Sequence, residues 1–124
     1  MHAVGVDIVE TSRIARAVER WGERFLSRIY TAQELAYCRG RVPQLAARFA
    51  AKEAVMKALG TGRRGVGWRD VEVVRVRGGR PTVQLQGRAL QVARAFRVAE
   101  VALSLSHSRD YAVASVVLST REVP

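Results

Sequence analysis

Hydrophobic and polar positions alternate over residues 2–9 (HAVGVDIV), with Val4, Val6 and Ile8 on one face and Ala3, Gly5, Asp7 and Val9 on the other. A period of two predicts a strand with one apolar face. Over residues 10–29 the spacing changes to three and four: Ile14, Val18 and Trp21 hold an apolar line, while Arg13, Arg16, Arg20 and Arg24 recur along the same helical region. Thr31 followed by Glu34 has the spacing of a capping box, which starts a short helix that residues 40–42 break. Pro43 suits the first turn of the next helix, PQLAARFAAKEAVMKALG, and Gly60 is placed to end it.

The segment GTGRRGVG that follows carries four glycines in eight residues and is a loop. Residues 69–77 and 82–86 alternate as strands, with Gly78-Gly79-Arg80-Pro81 as their turn. Ala89, Val92, Ala93 and Phe96 give one more amphipathic helix. Two nearly continuous apolar runs, VALSLSH and YAVASVVLS, close the chain and are expected at the buried centre of a sheet. The order predicts an α+β fold: an antiparallel sheet packed on one long central helix, with shorter helices around it.

Composition bounds this further. A chain of 124 residues predicts a single domain over residues 1–124, large enough to bury a core without metal or disulfide support. Cys38 is the only cysteine, no apolar run approaches the ~20 residues of a membrane span, and the start lacks a signal-like pattern, so a cytoplasmic protein is expected. Lys and Arg number 21 against 11 acids, a net charge of +10, and all but two of those bases are Arg. Such a surface attracts an anionic partner: nucleic acid, lipid, a phosphorylated small molecule or an acidic protein.

Several positions stand out chemically. Asp7 interrupts an apolar strand beside the small Gly5 and Ala3; it either caps the following helix or, with Glu53, forms a carboxylate pair for a divalent cation. Lys52 falls inside the apolar stripe of Leu45, Phe49, Met56 and Leu59, which requires snorkelling or a buried anionic partner. Glu53 and Lys57 are either a surface i,i+4 pair or part of a site. The Gly60-Thr61-Gly62 turn, with Arg63, Arg64 and Lys57 nearby, either approaches a phosphate or only ends the helix; no Walker sequence follows it. His107 ends an apolar strand. Neither Ser104 nor Ser106 sits on a nucleophile elbow, and Cys38 with His107 has no metal-ligand spacing.

In order along the chain, VGVDIVE, RFAAKEAVMKALGTG, WRDVEV and LSLSHSRDYAVASVV resemble the small bacterial holo-[acyl-carrier-protein] synthase type of 4′-phosphopantetheinyl transferase. The resemblance covers nearly the whole chain and departs from the pattern in the basic Arg63-Arg64 pair. It implies a 4′-phosphopantetheinyl transferase-like fold. It also implies transfer of the phosphopantetheine arm of coenzyme A to a serine of apo acyl carrier protein, releasing adenosine 3′,5′-bisphosphate, in fatty acid biosynthesis or a related carrier-protein pathway.

By that resemblance Asp7 and Glu53 are Mg²⁺ ligands, and Lys57 lies on a phosphate. Lys52 lies near the reacting pyrophosphate or its acidic ligands, or finds its anionic neighbours across a subunit interface. Arg48, Gly60, Thr61, Gly62, Ser106 and His107 belong to the coenzyme A pocket. The proton acceptor for the serine is Glu53 or a water in the metal's shell. A homotrimer with sites between subunits is expected, with Arg13 and Arg16 facing an acidic acyl carrier protein. The competing reading is a basic nucleic-acid-binding module without enzymatic activity; nucleic acid is disfavoured because no helix-turn-helix, aromatic RNA-binding strand or zinc pattern is present.

Overall fold

A computed structural model describes residues 1–62 and 64–122. The elements run β1 (His2–Glu10), α1 (Thr11–Trp21), α2 (Glu23–Ile29), α3 (Ala32–Cys38) and α4 (Val42–Leu59). A 3₁₀ turn (Trp68–Asp70), β2 (Val71–Arg75), β3 (Pro81–Leu85), α5 (Gly87–Ala95), β4 (Val98–His107) and β5 (Tyr111–Thr120) follow. The main sheet is antiparallel in the order β1-β5-β4, and β2-β3 form a separate hairpin. α4 lies across β1 and β5 and is the centre of the core.

The expected elements form where their end signals stand. Thr31 and Glu34 make the capping box of α3, Pro43 sits in the first turn of α4, and Gly60 closes α4 in the left-handed conformation at φ 78°. α4 is buried nearly all round rather than along one stripe: Ala46, Ala47, Ala50, Ala51 and Ala54 bring neighbouring backbone close while Leu45, Val55 and Met56 fill the space between.

Four expectations change. The helical region over residues 10–29 is two helices, because Gly22 breaks it with φ 53° and ψ −129°. In β1 the small face, not the Val4-Val6-Ile8 face, meets α4, leaving Val4 68% and Ile8 64% exposed. β5 is the central strand as expected, but β4 is an edge strand of the sheet with alternate residues exposed. Trp21 and Phe96 stay at the surface, while Ile14, Ala89, Val92 and Ala93 are buried.

Candidate active site

Small residues bring β1 onto α4. A Cβ on Gly5 would stand 1.9 Å from the Ala54 carbonyl oxygen, so only glycine permits this approach. Two residues further along the same strand face, Asp7 meets Lys57 at a separation of 2.9 Å, and the Lys57 ammonium also donates to the Val6 carbonyl at 3.2 Å. Asp7 is therefore not a helix cap; Glu10 holds the N-cap position of α1 without a side-chain bond.

Glu53 precedes Lys57 by one helical turn, on the flank of α4 that Asp7 faces, and is half-buried. Among the described residues no cluster of three or more His, Cys, Asp or Glu forms a metal cage. Two carboxylates on one flank fit the donor set of Mg²⁺, which takes one or two protein carboxylates and fills its remaining positions with water and phosphate oxygens.

The glycine turn lies one turn beyond Lys57. Gly60 donates its N–H to the Lys57 carbonyl and Thr61 to the Met56 carbonyl, while Gly62 holds φ 54°. Two of the turn's amides are thus committed to closing the helix. Arg63 lies outside the described residues, and Arg64 is exposed.

Arg48 and His107 meet elsewhere. They line a concavity of about 520 Å³ with Tyr37, Gln44, Arg75 and Arg80. Arg48 is buried, with its guanidinium 4.3 Å from the Tyr37 ring centroid, a geometry that fixes its charge toward the concavity wall. Three guanidinium groups and an imidazole suit a phosphate. Arg75 and Arg80 were legible only as strand and turn residues, because what brings them here is the contact of β3 with β4. Ser106 points away from His107: adjacent residues of a strand face opposite sides, and Ser106 pairs with Val113.

The two groups occupy different sides of α4. Arg48 and Lys57 are nine residues apart, which places them about 13 Å apart along the axis and half a turn around it.

Lys52 requires a correction. It is fully buried, and its ammonium is committed to the Glu34 carboxylate at 2.7 Å and to the carbonyls of Trp68 and Val71. Its anionic partner lies within its own chain rather than across an interface, and it offers no exposed surface to a pyrophosphate. Burial lowers its pKa, and the Glu34 charge opposes that shift. Glu34 was visible only as half of a capping box; its second role depends on α3 packing against β2.

Along the arginine stripe, the Arg13 guanidinium lies 5.4 Å from the Phe49 ring centroid, and Phe49 stacks on Trp68 at 4.8 Å. Arg16 is exposed, and Arg20 and Arg24 both lie against Trp21.

The site is thus an α+β sheet laid on a buried helix, with an acid from the first strand tied to that helix. The sequence profile of the 4′-phosphopantetheinyl transferase superfamily matches residues 3–116, and the chain belongs to that family. Within it, the chain is 55% identical to the holo-[acyl-carrier-protein] synthase of Koribacter versatilis over 92% of this chain and 94% of that protein. It is 50% identical to the enzyme of the same name from Gloeobacter violaceus, over 94% and 91%.

Among solved structures it is similar to the Helicobacter pylori holo-[acyl-carrier-protein] synthase in complex with coenzyme A, with TM-score 0.86 and 30% identity over 94% of this chain and 99% of that one. The Neisseria meningitidis synthase gives TM-score 0.86 and 38% identity, over 95% and 98%. A nucleic-acid-binding module finds no support beside these matches.

Proposed function

We propose that this chain transfers the 4′-phosphopantetheine arm of coenzyme A to a serine of an apo acyl carrier protein and releases adenosine 3′,5′-bisphosphate. The Asp7–Lys57 contact, with Glu53 one turn away on the same flank, carries this reading. It gathers two carboxylates and an ammonium where a diphosphate can approach from solvent, since Lys57 is half exposed. Asp7 and Glu53 would hold Mg²⁺, which would neutralise charge on the phosphate oxygens. Lys57 binds a non-bridging oxygen, and the Gly60-Thr61-Gly62 turn leaves backbone room beside it. Glu53, or a water in the metal's shell, would take the serine proton.

The concavity of Arg48 and His107 takes the nucleotide's phosphate. Because that concavity and the carboxylate pair lie on opposite sides of α4, each complete site is built from two neighbouring chains of a homotrimer. The outer sheet face supports this arrangement: Val4 and Ile8 pair across to Val117 and Val113, and with the exposed Val6, which pairs with Ser115, they form a largely apolar surface on the side of the sheet away from α4. Arg13 and Arg16 face the acidic carrier protein. No helix among the described residues is long and apolar enough to cross a membrane.

The test is incubation with coenzyme A, Mg²⁺ and apo acyl carrier protein, followed by intact-mass measurement. The carrier gains one phosphopantetheine with the wild-type chain. With Glu53→Gln, gain falls by about 100-fold or more while the melting midpoint holds. An unmodified carrier in the wild-type reaction overturns the reading.

A further inference from the structure

Lys52 is the largest buried charge that the proposed chemistry does not use. An ion pair removed from water offers little net stability over a well-packed apolar pair, so its retention points to a geometric task. The three protons of its ammonium are distributed among three elements: the Glu34 carboxylate of α3, the Trp68 carbonyl of the 3₁₀ turn and the Val71 carbonyl of β2. Glu34 extends the grip, accepting from the Thr31 and Val73 amides at 2.9 Å each. Thr31 in turn donates its hydroxyl to Glu72.

One of these bonds leads outward. The 3₁₀ turn is three residues long, so fixing the Trp68 carbonyl also fixes the root of the indole. That indole stacks on Phe49 with an interplanar angle of 24°, and the exposed Arg13 lies against Phe49. Lys52 and Phe49 are three residues apart on α4, so the helix supplies both the hidden anchor and the aromatic ring above it.

We infer that Lys52 is a positioning residue for the carrier-docking surface, acting through the Trp68 carbonyl on the Trp68–Phe49 pair against which Arg13 is set. The inference rests on the transferase reading above, and it separates recognition of the carrier from binding of coenzyme A, whose proposed contacts lie elsewhere on α4.

Lys52→Met alone leaves the Glu34 carboxylate buried without a counter-charge, held only by the Thr31 and Val73 amides, and that variant fails to fold if the penalty exceeds the stability of the chain. The informative variant is K52M/E34Q, which removes both charges and keeps a hydrogen-bonding group at position 34. With it, the KM for apo carrier protein rises by about tenfold and the KM for coenzyme A stays within about twofold. In a W21F background, where Trp68 is the only tryptophan, its near-ultraviolet circular dichroism band weakens. Adding R13A to K52M/E34Q costs little more, because Arg13 has already lost its support.

An unchanged carrier KM, a parallel rise for coenzyme A, or full additivity with R13A overturns the inference. A wild-type chain that modifies no carrier brings down the transferase reading and this inference together. A working wild type beside an unaltered variant overturns only the inference.

Discussion

Gly5 of β1 rests its backbone directly on the Ala54 carbonyl of α4, and this approach is what lets Asp7 reach Lys57. A methyl group at position 5 would meet that carbonyl at 1.9 Å, and the obstacle is backbone inside a buried helix, so no rotamer change relieves it. Gly5→Ala is therefore expected to push β1 outward, destabilise the fold by about 2 kcal/mol or more, and part the carboxylate from the ammonium. Urea denaturation and transferase rate should fall together. A variant with unaltered midpoint and rate would show that β1 can shift without cost, contrary to this packing.

The arginine stripe predicts a difference between substrates. Arg13 is exposed and set against Phe49, so reversing its charge should leave the core untouched while repelling an acidic partner. Arg13→Glu should raise the KM for carrier protein by about tenfold, with the gap narrowing as salt is added, because rim charges act on encounter through a screened field. The KM for coenzyme A should stay near its wild-type value. Equal changes for both substrates would remove Arg13 from carrier recognition.

How much of this was legible beforehand follows from the range of the forces involved. Capping at Thr31, the start at Pro43 and the stop at Gly60 depend on residues within a turn of one another, and all three stand where the spacing places them. The face of β1 that meets α4 was not legible by hydrophobicity, because close backbone approach selects the small residues Gly5 and Ala3 over the larger Val4 and Val6. Asp7 is visible as an anomaly and Lys57 only as half of an i,i+4 pair with Glu53; the family resemblance is what sets them in one site. Lys52 is equally conspicuous: its apolar stripe calls for snorkelling or a buried anionic partner, and the second holds, while the resemblance sets it near the pyrophosphate or its acidic ligands. Its partner, Glu34, is eighteen residues away in a segment already explained as a helix cap. Ser106 and His107 are neighbours in sequence and opposite in space, which only the assignment of a regular strand resolves.

Alkaline stability should report on the core beneath the concavity. Burial pushes the pKa of Tyr30 up from 10.0, with further raising by Cys38 and Glu34, and burial likewise raises Cys38 from 9.0. Both groups hold their protons in the fold at pH values where the unfolded chain releases them. Their contribution is complete below about pH 9 and is lost as pH climbs, by about 1.4 kcal/mol per pH unit for each group once its unfolded form has ionised. Lys52, lowered by burial, acts in the opposite direction up to its ordinary 10.5. Tyr30→Phe loses the hydrogen bond to the Leu45 carbonyl, about 1 kcal/mol at neutral pH, yet its stability curve should be flatter above pH 10. Denaturant midpoints from pH 7 to 11 test this; parallel curves for the two chains would sink it.

Sharing of sites between chains makes the sharpest prediction. Glu53 and His107 belong to groups on opposite sides of α4, and the proposed trimer joins the carboxylate side of one chain to the Arg48–His107 concavity of the next. Glu53→Gln and His107→Ala should each inactivate their own homotrimers. Co-expressed in equal amounts, they should form mixed trimers in which some sites draw an intact Glu53 from one chain and an intact His107 from its neighbour. Random assembly under closed symmetry leaves about a quarter of sites whole, so activity should return to about that fraction of wild type. Placing a lysine at Val6, on the apolar outer face, should abolish the recovery by separating the chains, with the monomer seen by light scattering. If the mixture stays inactive while the chains demonstrably co-assemble, each site is complete within one protomer, and the two groups on α4 must instead be bridged by a single extended coenzyme A.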